Sequence, residues 1–231
     1  MQTISFSHLS LMLLPLIVVV HFYYKYTNDK KEIVYATIRM VLQLILIGYV
    51  LIFLFKTKDL LIGICILSFM LIISTIITLR ITQNKSYKHY FIIFISTFLS
   101  SLLHLFLIIE VLRLDSFYEP RYIIPLAGMI FGNIMNVLSL CIERFEKELS
   151  RNESFIEART ISFKAAMIPQ INTLLAVGLV SLPGMMTGQI LSGIDPLIAV
   201  RYQIMIMVMC ISSGGIALIL YYKLKEKFFK Y

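Results

Sequence analysis

The sequence predicts an all-α, polytopic integral membrane protein. Hydrophobic residues make up 59% of the 231 residues and charged residues 15%, and the mean hydropathy is +0.86. A soluble domain contains about 45–50% apolar and about 25% charged residues, so this chain has too few charges to cover a surface that faces water. The apolar residues also form long runs, without the alternation of polar and apolar residues that a membrane β-barrel requires.

Seven apolar stretches follow one another along the chain, each close to the length of about 20 residues that a helix needs to cross a bilayer. They are Phe6–Tyr24, Val34–Phe55, Leu60–Leu79, Tyr90–Glu110, Tyr122–Ile142, Met167–Leu191 and Leu197–Tyr222. We therefore predict about seven transmembrane helices, within a range of six to eight, that together form one transmembrane domain over residues 1–231.

The basic residues predict an outside N-terminus and an inside C-terminus. The first positive charge, Lys25, follows the first stretch, so this stretch is not a typical signal peptide. If the connecting segments then alternate between the two sides, about three quarters of the lysine and arginine residues lie inside, as the positive-inside rule requires. We interpret the net charge of +8 as this topology signal, and we expect no nucleic-acid partner.

The segment Glu143–Lys164, assigned to the cytoplasmic side, is long enough to have structure of its own. Ile142, Phe145 and Leu149 recur in it at helical spacing among charged residues. This pattern predicts an amphipathic helix, at about residues 143–164, that lies on the membrane or against a partner.

The last two stretches carry the clearest local signals. Pro183 and Gly184 interrupt the sixth stretch, because proline cannot continue the ladder of helical hydrogen bonds and glycine tolerates unusual backbone angles. This predicts a broken helix or a re-entrant pair. The seventh stretch has a clean start, since Asp195 can cap a helix whose first turn contains Pro196.

The sequence contains no motif for catalysis or nucleotide binding. It has no P-loop, no HExxH, no GxSxG and no CxxC, and its four histidines and three cysteines are scattered. We therefore expect no enzymatic activity, no cofactor in this chain and no recognisable set of metal ligands. Met205, Met207 and Met209 do not share one helical face, and we interpret the methionines as flexible packing residues.

Polar residues inside the apolar stretches suggest a route for a solute. Asn133 and Asn136 lie three residues apart on the fifth stretch, while Met185, Met186 and Gln189 follow the Pro183-Gly184 break. Polar side chains in lipid are costly and face protein or water, and broken helices expose backbone groups only where they line a cavity. We expect these residues to line a transport pathway; the alternative is that they only join helices through hydrogen bonds or packing.

Three runs make the chain similar to the FetB (YbbM)-type family of ABC transporter permeases. They are GLVSLPGMMTGQILSGIDP at residues 178–196 followed by AVRYQI at 199–204, IPLAGMIFGN at 124–133, and RMVLQLILIG at 39–48. The resemblance extends from Arg39 to about Met209. It implies the membrane subunit of an iron or metal-ion exporter in the plasma (inner) membrane.

The resemblance also implies partners. It suggests a permease homodimer that works with a separate FetA-like ATPase, which would bind ATP-Mg, and it gives the amphipathic segment a role in docking that ATPase. Within this segment Glu157, Ala158 and Arg159 are the coupling candidates, since Glu157-Ala158 resembles part of the coupling motif of ABC permeases. Two alternatives stay open: a gradient-driven transporter or channel for a small solute, and a membrane scaffold or sensor that transports nothing.

Overall fold

Every regular element that the structure describes is a helix. The structure, a computed structural model, describes residues 5–29, 31–55, 59–114, 116 and 118–229. Its helices are α1 (Phe6–Leu9), α2 (Leu13–Thr27), α3 (Lys31–Leu54), α4 (Leu60–Leu79), α5 (Tyr87–Leu112), α6 (Pro120–Ser150), α7 (Phe155–Ala176), α8 (Gly184–Leu191) and α9 (Pro196–Phe229), with a 3-10 turn at Ser10–Met12. The predicted all-α class is confirmed.

Six segments of the described chain are long and apolar enough to cross a membrane. They are Ser7–Thr27, Lys31–Leu54, Leu60–Leu79, Tyr87–Leu112, Pro120–Ser150 and Pro196–Phe228. Each corresponds to one of the predicted stretches, so the polytopic membrane class holds. The chain divides into two compact units, residues 1–57 and residues 58–231; the prediction of one domain over the whole chain stays a prediction.

Short polar links organise the first unit, which contains α1, α2 and α3. The side chain of Asp29 accepts a hydrogen bond of 2.8 Å from the backbone N–H of Lys31 and so starts α3. The Tyr23 hydroxyl donates to the carboxylate of Glu32 across the turn. The described side chains of α2 are all at least partly exposed.

In the second unit, the starts of the helices follow local sequence signals. The side chain of Asp59 accepts the backbone N–H two residues later at 2.8 Å and begins α4, and that of Ser86 caps α5 through His89 at 3.3 Å. Asp195 accepts the N–H of Leu197 at 2.8 Å. The predicted cap of the last helix is confirmed.

Helix α6 is the central helix of the second unit and packs against α4, α5, α7 and α9. Its 31 residues give a length of about 46 Å at 1.5 Å per residue, longer than the hydrocarbon core of about 30 Å. Its fully buried apolar side chains are Ala127, Ile130, Ile134, Leu138, Cys141, Ile142 and Phe145. Because these recur every three to four residues, they form one continuous apolar face.

Close packing at one glycine fixes the loop before α6. Gly63 on α4 faces the ring of Tyr118, whose side chain is buried, so closely that a Cβ atom at Gly63 would overlap the ring carbons. The glycine is therefore required by contact and not by an unusual backbone angle. This contact holds α4 against the turn between α5 and α6.

The sixth predicted stretch, Met167–Leu191, is not one helix. Helix α7 ends at Ala176, a turn with Gly178 at a positive φ of 81° follows, and α8 starts at Gly184. The predicted break is confirmed, but it is wider than the proline alone suggests. Helix α7 is about 33 Å long but is not among the six apolar segments.

The segment 143–164 also differs from the prediction, which was wrong in treating it as one amphipathic helix. Glu143–Ser150 continue α6, a turn follows, and Phe155 starts α7. The apolar face that suggested contact with a membrane or a partner is occupied within the chain, since Ile142 and Phe145 are fully buried. Periodicity identified the buried face correctly but could not show what covers it.

Candidate functional site

The two asparagines predicted for the pathway have different surroundings. The Asn133 side-chain amide donates a hydrogen bond of 2.6 Å to the carbonyl oxygen of Cys210 on α9. A Cβ atom at Gly214 would lie 3.0 Å from the same amide nitrogen, so α6 and α9 approach closely here. Asn136 is exposed. The described contacts of Asn133 therefore match the alternative of an interhelical bond, and they do not connect it to α8.

The residues after the break form the short helix α8 beside α9. Met185 packs against the main apolar core of the second unit, and Met186 and Gln189 are partly buried. The side-chain oxygen of Gln189 is buried without a hydrogen-bond partner in the described residues, and the same holds for Gln203 on α9. Pro183 and Gly184 begin the helix. An unpaired buried amide oxygen is costly, which keeps Gln189 a candidate for contact with a solute.

The predicted coupling residues lie in the first turns of α7. Ser154 caps this helix: its hydroxyl accepts the N–H of Glu157 at 3.2 Å and donates to the Glu157 carboxylate at 2.8 Å. Hydrogen bonds that the Ser154 hydroxyl and backbone N–H donate to the Glu157 carboxylate lower the pKa of Glu157. Ala158 is fully buried, whereas Glu157 is exposed and Arg159 partly exposed. Two of the three residues are thus accessible to a partner.

A buried hydrogen-bonded network lies where the α4–α5 turn meets α6 and α9. We call it the His89 network; it contains Thr82, His89, Glu146, Tyr221 and Lys225. The Thr82 hydroxyl donates to Glu146 at 2.5 Å and lies 3.2 Å from His89 Nδ1. His89 Nε2 lies 2.9 Å from the Tyr221 hydroxyl, to which Lys225 Nζ donates at 2.9 Å. Four segments of the chain are joined by these bonds.

The hydrogen-bond donor and acceptor at each link of this network can be assigned from Lys225 to His89. His89 Nδ1 lies 2.8 Å from the carbonyl oxygen of Asn84, which can only accept, so Nδ1 carries a hydrogen. Nε2 of a neutral ring then accepts from Tyr221. Lys225 is only 2% exposed, and its Nζ lies 4.7 Å from the centre of the Phe145 ring. A buried ammonium is thus stabilised by a hydroxyl and by an aromatic face.

A second polar site lies in a cavity of about 390 Å³ between α5 and α9. Its polar lining includes His104, which is 4% exposed, and Ser212. His104 Nε2 lies 2.8 Å from the Ser212 hydroxyl. An ionisable residue inside a membrane segment is expensive to bury and marks a functional site by default. We call this space the α5–α9 cavity.

Sequence reasoning missed both polar sites. His104 and Ser212 are 108 residues apart in the chain, and the histidines looked scattered. One signal was present: Ser96, Ser100 and His104 repeat at a spacing of four, which places them on one face of α5. All three are buried. Such a polar stripe in an apolar helix indicates that the stripe faces protein and not lipid.

No group of three or more His, Cys, Asp or Glu side chains in the described residues is placed to hold a metal ion. Any metal site built from this part of the chain would need other donors, such as thioether sulfur, hydroxyl or amide oxygen atoms.

The family model described as "Uncharacterised protein family (UPF0014)" matches residues 6–229. The chain belongs to the UPF0014 family. One relative is the "UPF0014 membrane protein slr1647" of Synechocystis sp., which is 32% identical over 208 residues and covers 83% of this chain and 80% of its own. The "Probable iron export permease protein FetB" of Escherichia coli is 33% identical over 208 residues, or 83% of this chain and 78% of the relative.

A plant relative is less similar. "Protein ALUMINUM SENSITIVE 3" of Arabidopsis thaliana is 28% identical over 226 residues, which cover 89% of this chain and 80% of the relative. No solved structure matches the chain. The predicted resemblance to FetB-type permeases is confirmed, and this UPF0014 protein is an integral membrane protein. The first two relatives are named as a membrane protein and a permease, which agrees with a transporter subunit.

Proposed function

We propose that the chain is the transmembrane subunit of an ABC exporter of the plasma (inner) membrane, with a metal ion, specifically iron, as its cargo. The observation that carries this proposal is the 33% identity to a probable iron export permease over most of both chains. Six apolar helices and buried polar groups between them fit a permease. The working unit would be a permease homodimer in the lipid bilayer.

Energy would come from a separate FetA-like ATPase that binds ATP-Mg, because the sequence contains no P-loop. The turn between α6 and α7 is the part of this chain that we assign to docking the ATPase. Support comes from the length of α6, which extends beyond a bilayer core, and from the exposed side chain of Glu157 with Arg159 beside it. The buried Ala158 would anchor this turn to the permease.

The test is co-purification with the ATPase, followed by ATP hydrolysis in liposomes with and without Fe(II). We expect a stable complex and metal-stimulated hydrolysis. Reversing the charges of Glu157 and Arg159 together should weaken the complex, whereas reversing Glu110 and Arg113, exposed at the end of α5, should not. If the Glu157 and Arg159 variant binds the ATPase as well as the Glu110 and Arg113 variant does, the docking surface lies elsewhere.

The pathway at α8 is a separate part of the proposal. Replacing Met185, Met186 and Gln189 by leucine roughly preserves volume, so the fold should persist. We expect metal export to fall while protein level and ATPase binding remain. Normal export by this triple variant, with the same ion preference, would show that the residues after Pro183-Gly184 are structural.

The His89 network favours a second candidate function, a proton-driven secondary transporter. Its bonds link a buried lysine to the carboxylate of Glu146 through Tyr221, His89 and Thr82, a chain of groups that exchange protons. In liposomes without ATPase, a pH gradient would then drive metal flux. Glu146→Gln should abolish this flux, while Glu143→Gln, an exposed site on the same helix, should not. Metal flux that occurs only with the ATPase and ATP would instead support the ABC exporter.

A further inference from the structure

The imidazole of His104, which lines the α5–α9 cavity, is held by hydrogen bonds at both ring nitrogens. Its Nδ1 lies 2.7 Å from the carbonyl oxygen of Ser100. A carbonyl can only accept, so Nδ1 carries the hydrogen and Nε2 presents a lone pair. Histidines that bind metals are held in this way, with the other ring N–H donated to a backbone carbonyl or carboxylate. The ring of His104 is therefore pre-oriented for a ligand at Nε2.

The hydroxyl of Ser212 can give up its hydrogen bond to His104 Nε2 and still donate to a backbone carbonyl. It lies 2.8 Å from His104 Nε2 and 2.6 Å from the carbonyl oxygen of Val208. A hydroxyl has one hydrogen to donate, so it satisfies one of the two acceptors at a time. When Ser212 donates to Val208, the lone pair on His104 is free to bind a cation.

Two thioethers line the same cavity. Met205 and Met209 are four residues apart on α9 and both line it, whereas Met207 does not. Residues at this spacing share a helical face, and Met207 lies outside it, so the three methionines do not share one face, as expected. Met209 is 4% exposed and lies one turn before Ser212. Sulfur and imidazole nitrogen donors are thus available on facing helices.

The charge of the cavity limits which ion it suits. No carboxylate among the described residues lines it, and Arg201 adds a positive charge. Hard cations prefer carboxylate and carbonyl oxygens, whereas thioether donors select soft ions such as Cu(I); imidazole suits copper as well as zinc, iron and nickel. A soft ion with a single charge is also repelled least by Arg201.

We propose that the α5–α9 cavity binds a soft monovalent metal ion of the Cu(I) or Ag(I) class, with His104 Nε2 and the sulfur atoms of Met209 and Met205 as ligands. This inference goes beyond the proposed function, because the ion class that the cavity suits differs from iron; only a role of the site in transport rests on that function. Binding itself is measurable on the purified chain without any ATPase.

The experiment compares four forms of the full chain in detergent after accessible thiols are alkylated with N-ethylmaleimide. These are the parent, His104→Gln, the double variant Met205→Leu/Met209→Leu, and the control Met207→Leu. Each is titrated with Ag(I), with Cu(I) under anaerobic conditions against a chromophoric chelator, and with Fe(II). The leucine substitutions conserve volume, and size-exclusion profiles check that each form is folded.

We expect one equivalent of Ag(I) or Cu(I) on the parent and on the control. Both cavity variants should lose this equivalent or bind it at least about tenfold more weakly. Equal binding by all four forms would overturn the site, and Fe(II) binding that depends on His104 in place of Ag(I) binding would overturn the class of ion. Failure of the proposed function would look different: ion binding at the cavity would persist while no ATPase-dependent export is found.

Discussion

Tyr221 is the residue of the His89 network whose removal gives the sharpest prediction. Its side chain is fully buried, and its hydroxyl bonds both His89 Nε2 and Lys225 Nζ at 2.9 Å. Tyr221→Phe keeps the ring and removes only the oxygen. Because water does not reach a fully buried position, the imidazole and the ammonium would each lose a partner.

The size of the effect follows from the two bonds. A hydrogen bond to a charged group contributes about 1.5–3 kcal/mol and a neutral one about 0.5–1.5 kcal/mol. Polar bonds between helices in membranes fall at the lower end of such ranges, since the unfolded chain also finds partners there. We therefore expect Tyr221→Phe to lower the free energy of unfolding by about 2–3 kcal/mol.

Unfolding can be followed through the thiol of Cys141, which is fully buried in the folded chain. A thiol-reactive fluorophore reports its exposure during titration with a denaturing detergent, in a Cys65→Ala background that removes the exposed thiol. Tyr202→Phe, a partly buried site on the same helix, is the control. Its free energy of unfolding should stay within about 0.5 kcal/mol of the parent.

A double variant separates the hydrogen bonds from general packing. Adding Lys225→Met to Tyr221→Phe removes the ammonium that the single variant leaves unpaired, and replacing both partners of a buried bond is less damaging than removing one. The double variant should therefore be more stable than Tyr221→Phe. A loss below about 1 kcal/mol in the single variant, or a less stable double variant, would refute this account of the network.

Three further predictions concern other parts of the chain. Gly63→Ala should destabilise the protein by about 1–3 kcal/mol in the same unfolding assay, because the added Cβ overlaps the buried tyrosine ring in the α5–α6 turn. Ser154→Ala should speed hydrogen exchange in the first turn of α7, because it removes the cap. The folded state lowers the pKa of Glu157, so the stability that the cap contributes is fully present above the ordinary pKa of glutamate. This stability is lost as the pH falls through the lowered pKa. Cysteines placed at Ser5 and Lys227 should react with impermeant reagents from opposite sides, whereas labelling from one side would mean an even number of crossings.

Local signals in the sequence predicted the helices well. Composition and the length of the apolar stretches are sufficient for the membrane class, because a bilayer admits few backbone structures. Asp195 and Pro196 predicted the start of α9, since a cap depends only on neighbouring residues. Pro183 likewise predicted a break. Its width did not follow from Pro183, because α7 already ends at Ala176, whose carbonyl accepts the backbone N–H groups of the turn that follows.

The surroundings of each polar residue depended on the fold. The amphipathic pattern at Phe145 predicted a buried face, but the same pattern suits a membrane, a partner or the chain itself, and only packing decides between them. The sequence could not show that the Asn133 amide bonds a carbonyl on α9, and its place on a transport pathway stays a prediction.

The sequence by itself determined the class of protein, the approximate helices and the family, because these depend on composition, length and local order. The tertiary structure alone decided which side chains meet. His104 with Ser212, and His89 with Tyr221, are separated by more than a hundred residues, and no short-range pattern encodes such pairs. They meet because α5 and α9 pack together, which places the buried polar groups of one helix against those of the other.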